Sequence, residues 1–487
     1  MAIPLARLDR DSVEPLYRQL RRAIEYAVTN GLVDTTQPLP SSRQLAADFA
    51  VSRNTANLAY QELVAEGIVT ARPRRGLFVN ESVSAVLQAG DREGSTGIDW
   101  SSRMRTFADS DLPQIEKVLD WNTYPYPFLA GQVDPQTFPM RGWLRALRES
   151  MYHPHVYPAL QDSLGADDPL LVDVIRRQLL PPRGIEARPE EILVTVGSQH
   201  GLNLVARLLL NDRSTVAMEQ PGYPDARHIF ARAGVRFADL PVDGDGAVPP
   251  DDLTGIDLAH LTPSHQSPTN VTLSMERRIR LVHMASEAGT ILVEDDYDSE
   301  FRYAGRPSPA LKALDRTGDV IYLGTFSKFL SPGLRLGYVV AHPDLVRELR
   351  QMRRYELRHP PGQLQRAMAL FIDNGDYHRA LRRHRDRLQH KWISMTEAVA
   401  ENFPFEVGPF PPGGVSLWIE GPKGLDGREV AARAQEQGVL IEQGALFFHP
   451  SRRRHQRYLR LGYSAIPQRS ITEGIRRLGV VLRDHLG

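Results

Sequence analysis

The sequence predicts two folded parts of different class: a small amino-terminal unit of three helices closed by a basic β-hairpin, and a large α/β unit on a largely parallel sheet. Three observations carry this. Within the first 80 residues, two serines stand where helix caps belong, each ahead of a short amphipathic run. Past residue 120, apolar strand-like runs alternate with helical ones. The chain's 487 residues also exceed what one compact core usually holds, since domains run to roughly 100–200 residues.

Composition narrows the function classes. No run of about 18 apolar residues occurs, and the N-terminus lacks a charged-then-apolar export signal, so a soluble, cytoplasmic protein with no membrane partner is expected. The absence of cysteine excludes disulfides and thiolate metal sites, and no metal is expected. Fifty-nine basic residues balance 59 acidic ones, so any attraction for nucleic acid must come from local arrangement. Only Lys117, Lys312, Lys328, Lys391 and Lys423 are lysines, which leaves DNA-facing chemistry to arginine.

In the amino-terminal unit, Leu16, Leu20, Ala23, Ile24 and Ala27 recur at helical spacing up to a C-cap at Gly31. The Ser41 to Gln44 offset reads as a capping box for a short second helix. Ser52 caps a third helix, Arg53 to Glu66, whose Leu58, Tyr60, Leu63 and Val64 include core positions. The polar first turn, Arg53-Asn54-Thr55, suits the major groove of DNA. Two short strands, 68–70 and 77–79, then flank a tip carrying Arg72, Arg74 and Arg75, well placed for phosphates or the minor groove. Exposed charge is ordinarily just solvated, and residues 1–80 carry ten arginines against eight carboxylates, so the case rests on placement rather than on net charge.

Residues 81–118, with Ala89-Gly90-Asp91-Arg92-Glu93-Gly94 inside them, are polar, contain glycine and lack periodicity. They read as a flexible tether between a 1–80 unit and a 119–487 unit, long enough for the small unit to pack on another protomer.

The large unit shows strand-like runs at 192–196, 215–218, 235–239, 291–294, 320–323 and 337–341, with helices at 199–210, 223–233 and 275–288. Ligands gather at strand ends in such folds. After Ile291-Leu292-Val293, period-two alternation puts Asp295 and Tyr297 on one side and turns Asp296 away. A carboxylate there can keep a pyridine nitrogen protonated, as pyridoxal phosphate chemistry requires, or it can cap the next helix. Lys328 follows the apolar strand Ile321-Tyr322-Leu323, where partial desolvation favours the neutral, imine-forming amine. Thr325, three residues earlier, and Arg335, seven later, can grip a phosphate. Val196-Gly197-Ser198-Gln199 turns a strand into a helix whose free amides suit the same anion. Tyr223, after Pro221-Gly222, can stack on a cofactor ring or pack on the core. Arg460, on the apolar strand Tyr458 to Tyr463, needs an anion, and a ligand carboxylate is the natural candidate.

Over the first 80 positions, Leu39-Pro40-Ser41-Ser42-Arg43, Val51-Ser52-Arg53-Asn54-Thr55, Ala59-Tyr60 and Ala65-Glu66-Gly67 resemble the winged helix-turn-helix domain of the GntR regulators. From about residue 120 onward the pieces resemble the class I aminotransferases of fold type I. Their pairing, with Glu294-Asp295-Asp296-Tyr297-Asp298-Ser299-Glu300-Phe301-Arg302-Tyr303, resembles the MocR branch across nearly the whole chain. The resemblance implies Arg43, Arg53, Asn54, Thr55 and Gly76 as DNA contacts. It implies Lys328 as the Schiff-base lysine for pyridoxal 5'-phosphate, Asp295 at the pyridine nitrogen, Tyr297 at the 3-oxygen and Tyr223 over the ring. Ser198, Gln199, Thr325 and Arg335 fall at the phosphate, and Arg460 at an effector carboxylate.

The chain departs from those relatives at Ser267 and Asn270, where they carry tyrosine and glycine. This is expected to widen or reshape the pocket beside the ring. The function expected is a DNA-binding transcription regulator, a homodimer on a double-stranded operator, that senses a small amino-compound effector through an aldimine. The alternative is a working aminotransferase carrying a DNA-binding head.

Overall fold

The computed structural model describes residues 8–80, 82–83, 99–103, 112, 115, 118–305, 308–449 and 455–487. The chain divides into two compact units, Met1–Asp109 and Ser110–Gly487. Most of the 81–118 stretch lies outside the described residues; within it, Trp100–Arg103 forms one helical turn.

The small unit opens with α1 (Leu16–Thr29), whose Leu20, Ile24, Ala27 and Val28 are buried as its helical period requires. Burying Leu20 and Ile24 stabilises the unit by about 1.5–3 kcal/mol each. Ser41 Oγ accepts the Gln44 amide at 3.3 Å and starts α2 (Ser42–Asp48). The reciprocal half of the expected capping box is not made: the Gln44 side chain donates to Asp48, one turn on, at 2.7 Å. Ser52 Oγ accepts the Thr55 amide at 3.0 Å and starts α3 (Arg53–Ala65). Ala56, Ala59, Tyr60 and Leu63 form the buried stripe of α3, whereas Leu58 and Val64 fall off that stripe and stay exposed. The Tyr60 hydroxyl donates to the Pro40 carbonyl at 2.7 Å, tying α3 to the start of α2. β1 (Val69–Arg72) and β2 (Gly76–Val79) pair antiparallel, Arg72 opposite Gly76, so both strands reach closer to the tip than their apolar residues suggest. Gly76, at φ +106°, closes the tip in a conformation that disfavours any side chain.

In the large unit, β3 (Tyr126–Pro127) is followed by eight strands of one sheet: β4 (Ile192–Thr195), β5 (Thr215–Gln220), β6 (Arg236–Asp243), β7 (Gly246–Ala247), β8 (Leu258–Leu261), β9 (Ile291–Asp296), β10 (Val320–Thr325) and β11 (Gly337–Val340). Their spatial order is β4-β11-β10-β9-β8-β5-β6-β7. The run from β10 to β6 is parallel, β11 is antiparallel to both neighbours, and β7 folds back on β6. Helices Ser198–Leu209, Pro224–Ala231 and Met275–Ala288 stand close to their expected positions. Sequence periodicity missed β8, whose four buried residues are too few to show a period, and the two-residue β7.

Alternation on β10 divides the core. Ile321 and Leu323 pack with Leu202, Val205 and Val339 on one face, while Tyr322 packs with Val194, Phe326 and Tyr338 on the other. Beyond helix Asp376–Asn402, β12 (Ser416–Glu420), β14 (Glu442–Gln443) and β15 (Tyr458–Gly462) form a smaller antiparallel sheet in the order β12-β15-β14, and β13 (Val439–Leu440) pairs with β3.

One buried network fixes the end of β9. Arg183 Nε donates to Asp296 Oδ2 at 2.8 Å, the Tyr322 hydroxyl donates to the same oxygen at 2.7 Å, and Arg183 also reaches Ser264 Oγ and the Ser308 carbonyl. Burial raises the pKa of Asp296, but Arg183 and the neighbouring hydroxyls more than offset that, and the carboxyl titrates below its usual range. A depressed folded pKa stabilises the fold above the unfolded value, and this contribution is lost as pH falls through the folded value. Arg183→Met should therefore destabilise the large unit by about 3–5 kcal/mol at neutral pH, because a buried carboxylate is left unpaired. Urea unfolding should show the gap between variant and wild type narrowing as the pH is lowered below the carboxylate range.

Candidate functional site

The large unit contains a cavity of about 150 Å³ whose lining includes Lys328, Ser198, Gln199, Tyr223, Thr325, Arg335 and Arg460. Asp295 and Tyr297 are not part of that lining, although the Tyr297 ring centroid lies 5.6 Å from Lys328 Nζ.

One end is built for an anion. After β4 the chain turns at Gly197, φ +82°, into helix Ser198–Leu209, which has no side-chain cap on its first-turn amides. A Cβ on Gly197 would lie 3.0 Å from Arg335 Nη2, so the bare glycine admits the guanidinium, which donates to the Val196 carbonyl at 3.3 Å. Arg335 itself holds φ +45°, a left-handed conformation costing of order 1–3 kcal/mol. Its neighbours impose it: the Phe326 amide donates to the Leu336 carbonyl at 3.1 Å across the β10–β11 connection.

The reactive end lies at the tip of β10. The Ser327 amide donates to Thr325 Oγ1 at 3.2 Å, and the chain then presents Lys328, whose Nζ lies 5.6 Å from the centroid of the Tyr297 ring. Gly131 packs so closely that a Cβ there would meet Nζ at 3.3 Å.

Asp295 is buried, on the face of β9 opposite to Asp296 as alternation demands. Its Oδ1 has no hydrogen-bond partner, and its Oδ2 stands 3.7 Å from Nε2 of His260 on β8. A buried bare carboxylate oxygen is what a protonated heterocyclic nitrogen would satisfy, and so the residues fit the group expected from the sequence. His260, held edge-on to Phe230 at 5.8 Å, was invisible in the sequence because β8 was. The Tyr297 hydroxyl donates to the His265 carbonyl at 3.0 Å, and burial pushes its pKa well above 10, so it is a neutral donor. Tyr223 lines the cavity and also packs on the core, its hydroxyl donating to Asp225 at 3.1 Å.

Arg460 reaches the cavity from β15. Its Nε donates to Ser416 Oγ at 3.1 Å, its guanidinium lies 5.2 Å from the Phe447 ring centroid, and Nη1 stands 3.7 Å from Glu442 Oε2. The anion that this arginine needs is thus partly supplied by the chain, which the sequence did not disclose. The departure at Ser267 and Asn270 also acts differently from expectation. Both side chains are buried and neither lines the cavity. Asn270, at φ +62°, donates through Nδ2 to the Ser416 carbonyl, and so braces the residue that orients Arg460.

In the small unit, Arg43, Arg53, Asn54, Arg74, Arg75 and Gly76 are exposed, whereas Thr55 and Arg72 are half-buried. The Thr55 hydroxyl shares a hydrogen bond with Ser52 at 2.8 Å, and the Arg72 guanidinium lies over the Phe78 ring at 4.5 Å.

Comparison with known proteins agrees with this architecture. Residues 16–79 match the family model of bacterial regulatory proteins of the gntR family, and residues 153–478 match aminotransferase class I and II. The HTH-type transcriptional regulator TauR of Rhodobacter capsulatus is 39% identical, covering 96% of each chain. The probable rhizopine catabolism regulatory protein MocR of Rhizobium meliloti is 31% identical over 97% of this chain and 94% of its own. Among solved structures, LysN, the alpha-aminoadipate aminotransferase of Thermus thermophilus complexed with N-(5'-phosphopyridoxyl)-L-leucine, superposes with a TM-score of 0.71 at 31% identity, over 80% of this chain and 99% of that one. Fold and site together define a winged-helix head joined to an aminotransferase-like body. The chain belongs to the MocR subfamily of GntR-family transcriptional regulators.

Near the end of β5, Glu219 is buried and accepts from the Thr262 amide at 3.1 Å, from the Thr262 hydroxyl at 2.5 Å and from Gln266 at 3.3 Å. Burial outweighs these bonds and pushes its pKa up to about 7 from 4.5. The folded state then holds a proton that the unfolded state loses, so this group's contribution falls as pH rises between those two values. Glu219→Gln, which keeps the neutral shape, should gain stability relative to wild type over that window, read as a widening difference in melting temperature from pH 5 to pH 8.

Proposed function

We propose that the chain is a pyridoxal-phosphate-dependent transcription regulator that works as a cytoplasmic homodimer, with residues 1–80 binding operator DNA and residues 119–487 sensing a small amine. The 81–118 stretch would tether the two and let each head pack on the other protomer. The observation that carries the cofactor reading is the buried, partnerless Oδ1 of Asp295 in the same unit as Lys328. When bound, pyridoxal phosphate supplies an aldehyde that condenses with primary amines and a protonated pyridine that draws electrons.

The chain's own groups divide the remaining work. Lys328 would hold the aldehyde carbon, and Asp295 would keep the ring nitrogen protonated, with His260 limiting its direction. Tyr297 would donate to the 3-oxygen, and Tyr223 would cover the ring face. Ser198, Gln199, Thr325 and Arg335 would hold the phosphate by helix amides, hydroxyl and guanidinium. Arg460 would bind the effector's acid. Arg43, Arg53, Asn54 and Thr55 would meet the major groove, and Arg72, Arg74, Arg75 and Gly76 the backbone near the hairpin. Two heads on one symmetric dimer raise the effective concentration of the second, which makes weak single-head binding sufficient.

Lys328→Ala should abolish the visible absorbance of bound cofactor and the effector's influence on operator binding while leaving the circular dichroism spectrum unchanged; a full effector response in that variant would refute the reading. A second reading, a working aminotransferase with a DNA-binding head, is favoured by the retention of Lys328 and Asp295 and by the likeness to LysN. Steady keto-acid production from an amino donor would support it. For the head, Arg74→Ala and Arg75→Ala should each weaken binding to all DNA sequences alike and flatten the salt dependence of log K by about 0.9 for each phosphate no longer neutralised.

A further inference from the structure

We propose that Glu442 is the resident counter-ion of Arg460 and that the effector is recognised by displacing it, so the pocket is tuned to primary amines bearing one fully ionised acid group. The inference rests on the cofactor reading above and adds to it the residue that separates such an effector from amines in general. Arg460 is 8% exposed, and a guanidinium so far from water requires a nearby anion. Glu442 provides it: its Oε2 stands 3.7 Å from Arg460 Nη1, and both residues line the cavity. That distance neutralises charge without making a hydrogen bond, so Glu442 leaves the outer fork of the guanidinium unlocked. Ser416 holds the inner nitrogen, Nε, at 3.1 Å and fixes where the fork points. An acid that takes the fork by two parallel bonds gains more from Arg460 than Glu442 does at 3.7 Å. The two acids would then repel each other in a partly dry pocket, and Glu442 must give way.

Glu442 has a second partner that it can keep when Arg460 turns to the ligand. The Ala130 amide already stands 3.4 Å from the same Oε2, on the segment whose next residue, Gly131, abuts Lys328 Nζ. An alkylamine without an acid has no means of breaking the pair. It would react at the aldehyde end and leave Arg460 and Glu442 as they are.

The test is a visible-spectrum titration of the full-length, cofactor-loaded protein with ω-amino acids of two to four methylenes, each paired with the alkylamine of the same length. Glu442→Gln keeps the shape and an acceptor for Ala130 but removes the competing charge. It should bind the tightest-binding amino acid of the series about tenfold more tightly than wild type does, while the matching alkylamine changes by about twofold or less. Arg460→Met should abolish the advantage of the acid-bearing member over its partner, whether or not Glu442 is also replaced. An unchanged ratio in Glu442→Gln, or weaker binding of the acids, would overturn the proposal. If alkylamines fail to change the spectrum of the wild type, the cofactor reading itself fails; if they change it and only the ratio stays put, this inference alone does.

Discussion

The end of β9 must keep three consecutive acidic residues, Glu294, Asp295 and Asp296, out of water, and the rest of the large unit is arranged around that constraint. Asp295 and Asp296 point to opposite faces of a strand flanked by β8 and β10, so neither can relax without moving the other. Asp296 is held through Oδ2 by Arg183 and Tyr322, which anchors the backbone at the strand's end and leaves only its Oδ1 without a hydrogen-bond partner. Asp295 inherits the position and keeps one oxygen bare, a state disfavoured by roughly 1–3 kcal/mol for a buried acceptor and by more for a charged one. A carboxylate held this way is preorganised: its partner need not compete with a protein hydrogen bond. Stability on one face of the sheet thus supports chemistry on the other.

The anion end follows the same logic with different means. Gly197 contributes the absence of a side chain, Arg335 a left-handed backbone, and helix Ser198–Leu209 its uncapped amides. Each is locally unfavourable. They coexist because β4 and β10 lie on either side of β11, so the strand ends that carry them are held to one register. Gly324 makes that packing possible one strand over, since the Tyr338 ring occupies the space where its Cβ would be.

What the sequence disclosed about this site was local, and what it concealed was long-range. Capping serines 41 and 52, the alternation that separates Asp295 from Asp296, and a lysine just beyond an apolar strand are patterns within a few residues, set by backbone geometry. His260 was hidden because β8 is four buried residues with no polar alternation to reveal it. The link from Asn270 through Ser416 to Arg460 joins three segments nearly 200 residues apart, and nothing near Asn270 announces its partner. Glu442 sits in a short strand paired with Arg460 in register, a neighbour relation that exists only once β14 and β15 have met. Gln44 fits the capping-box pattern, yet its amide bonds Asp48, because an i to i+4 partner on the helix surface competes with the reach back to the cap.

The near neutrality of the small unit bears on how a regulator of this design would work. With ten arginines against eight carboxylates over residues 1–80, little general attraction draws the head to DNA, and Arg72 is turned toward Phe78. Four arginines expected at the interface, Arg43, Arg53, Arg74 and Arg75, remain exposed. Binding by such a head alone would be modest, and operator affinity would then depend on how two heads are spaced. Spacing is a geometric variable, which a body rearranged by only about 1–3 kcal/mol of effector binding can bias. A strongly basic head would bind DNA whatever the body did. A weakly charged one gives the body control, and on this argument the modest net charge is a condition for regulation rather than a defect in DNA binding.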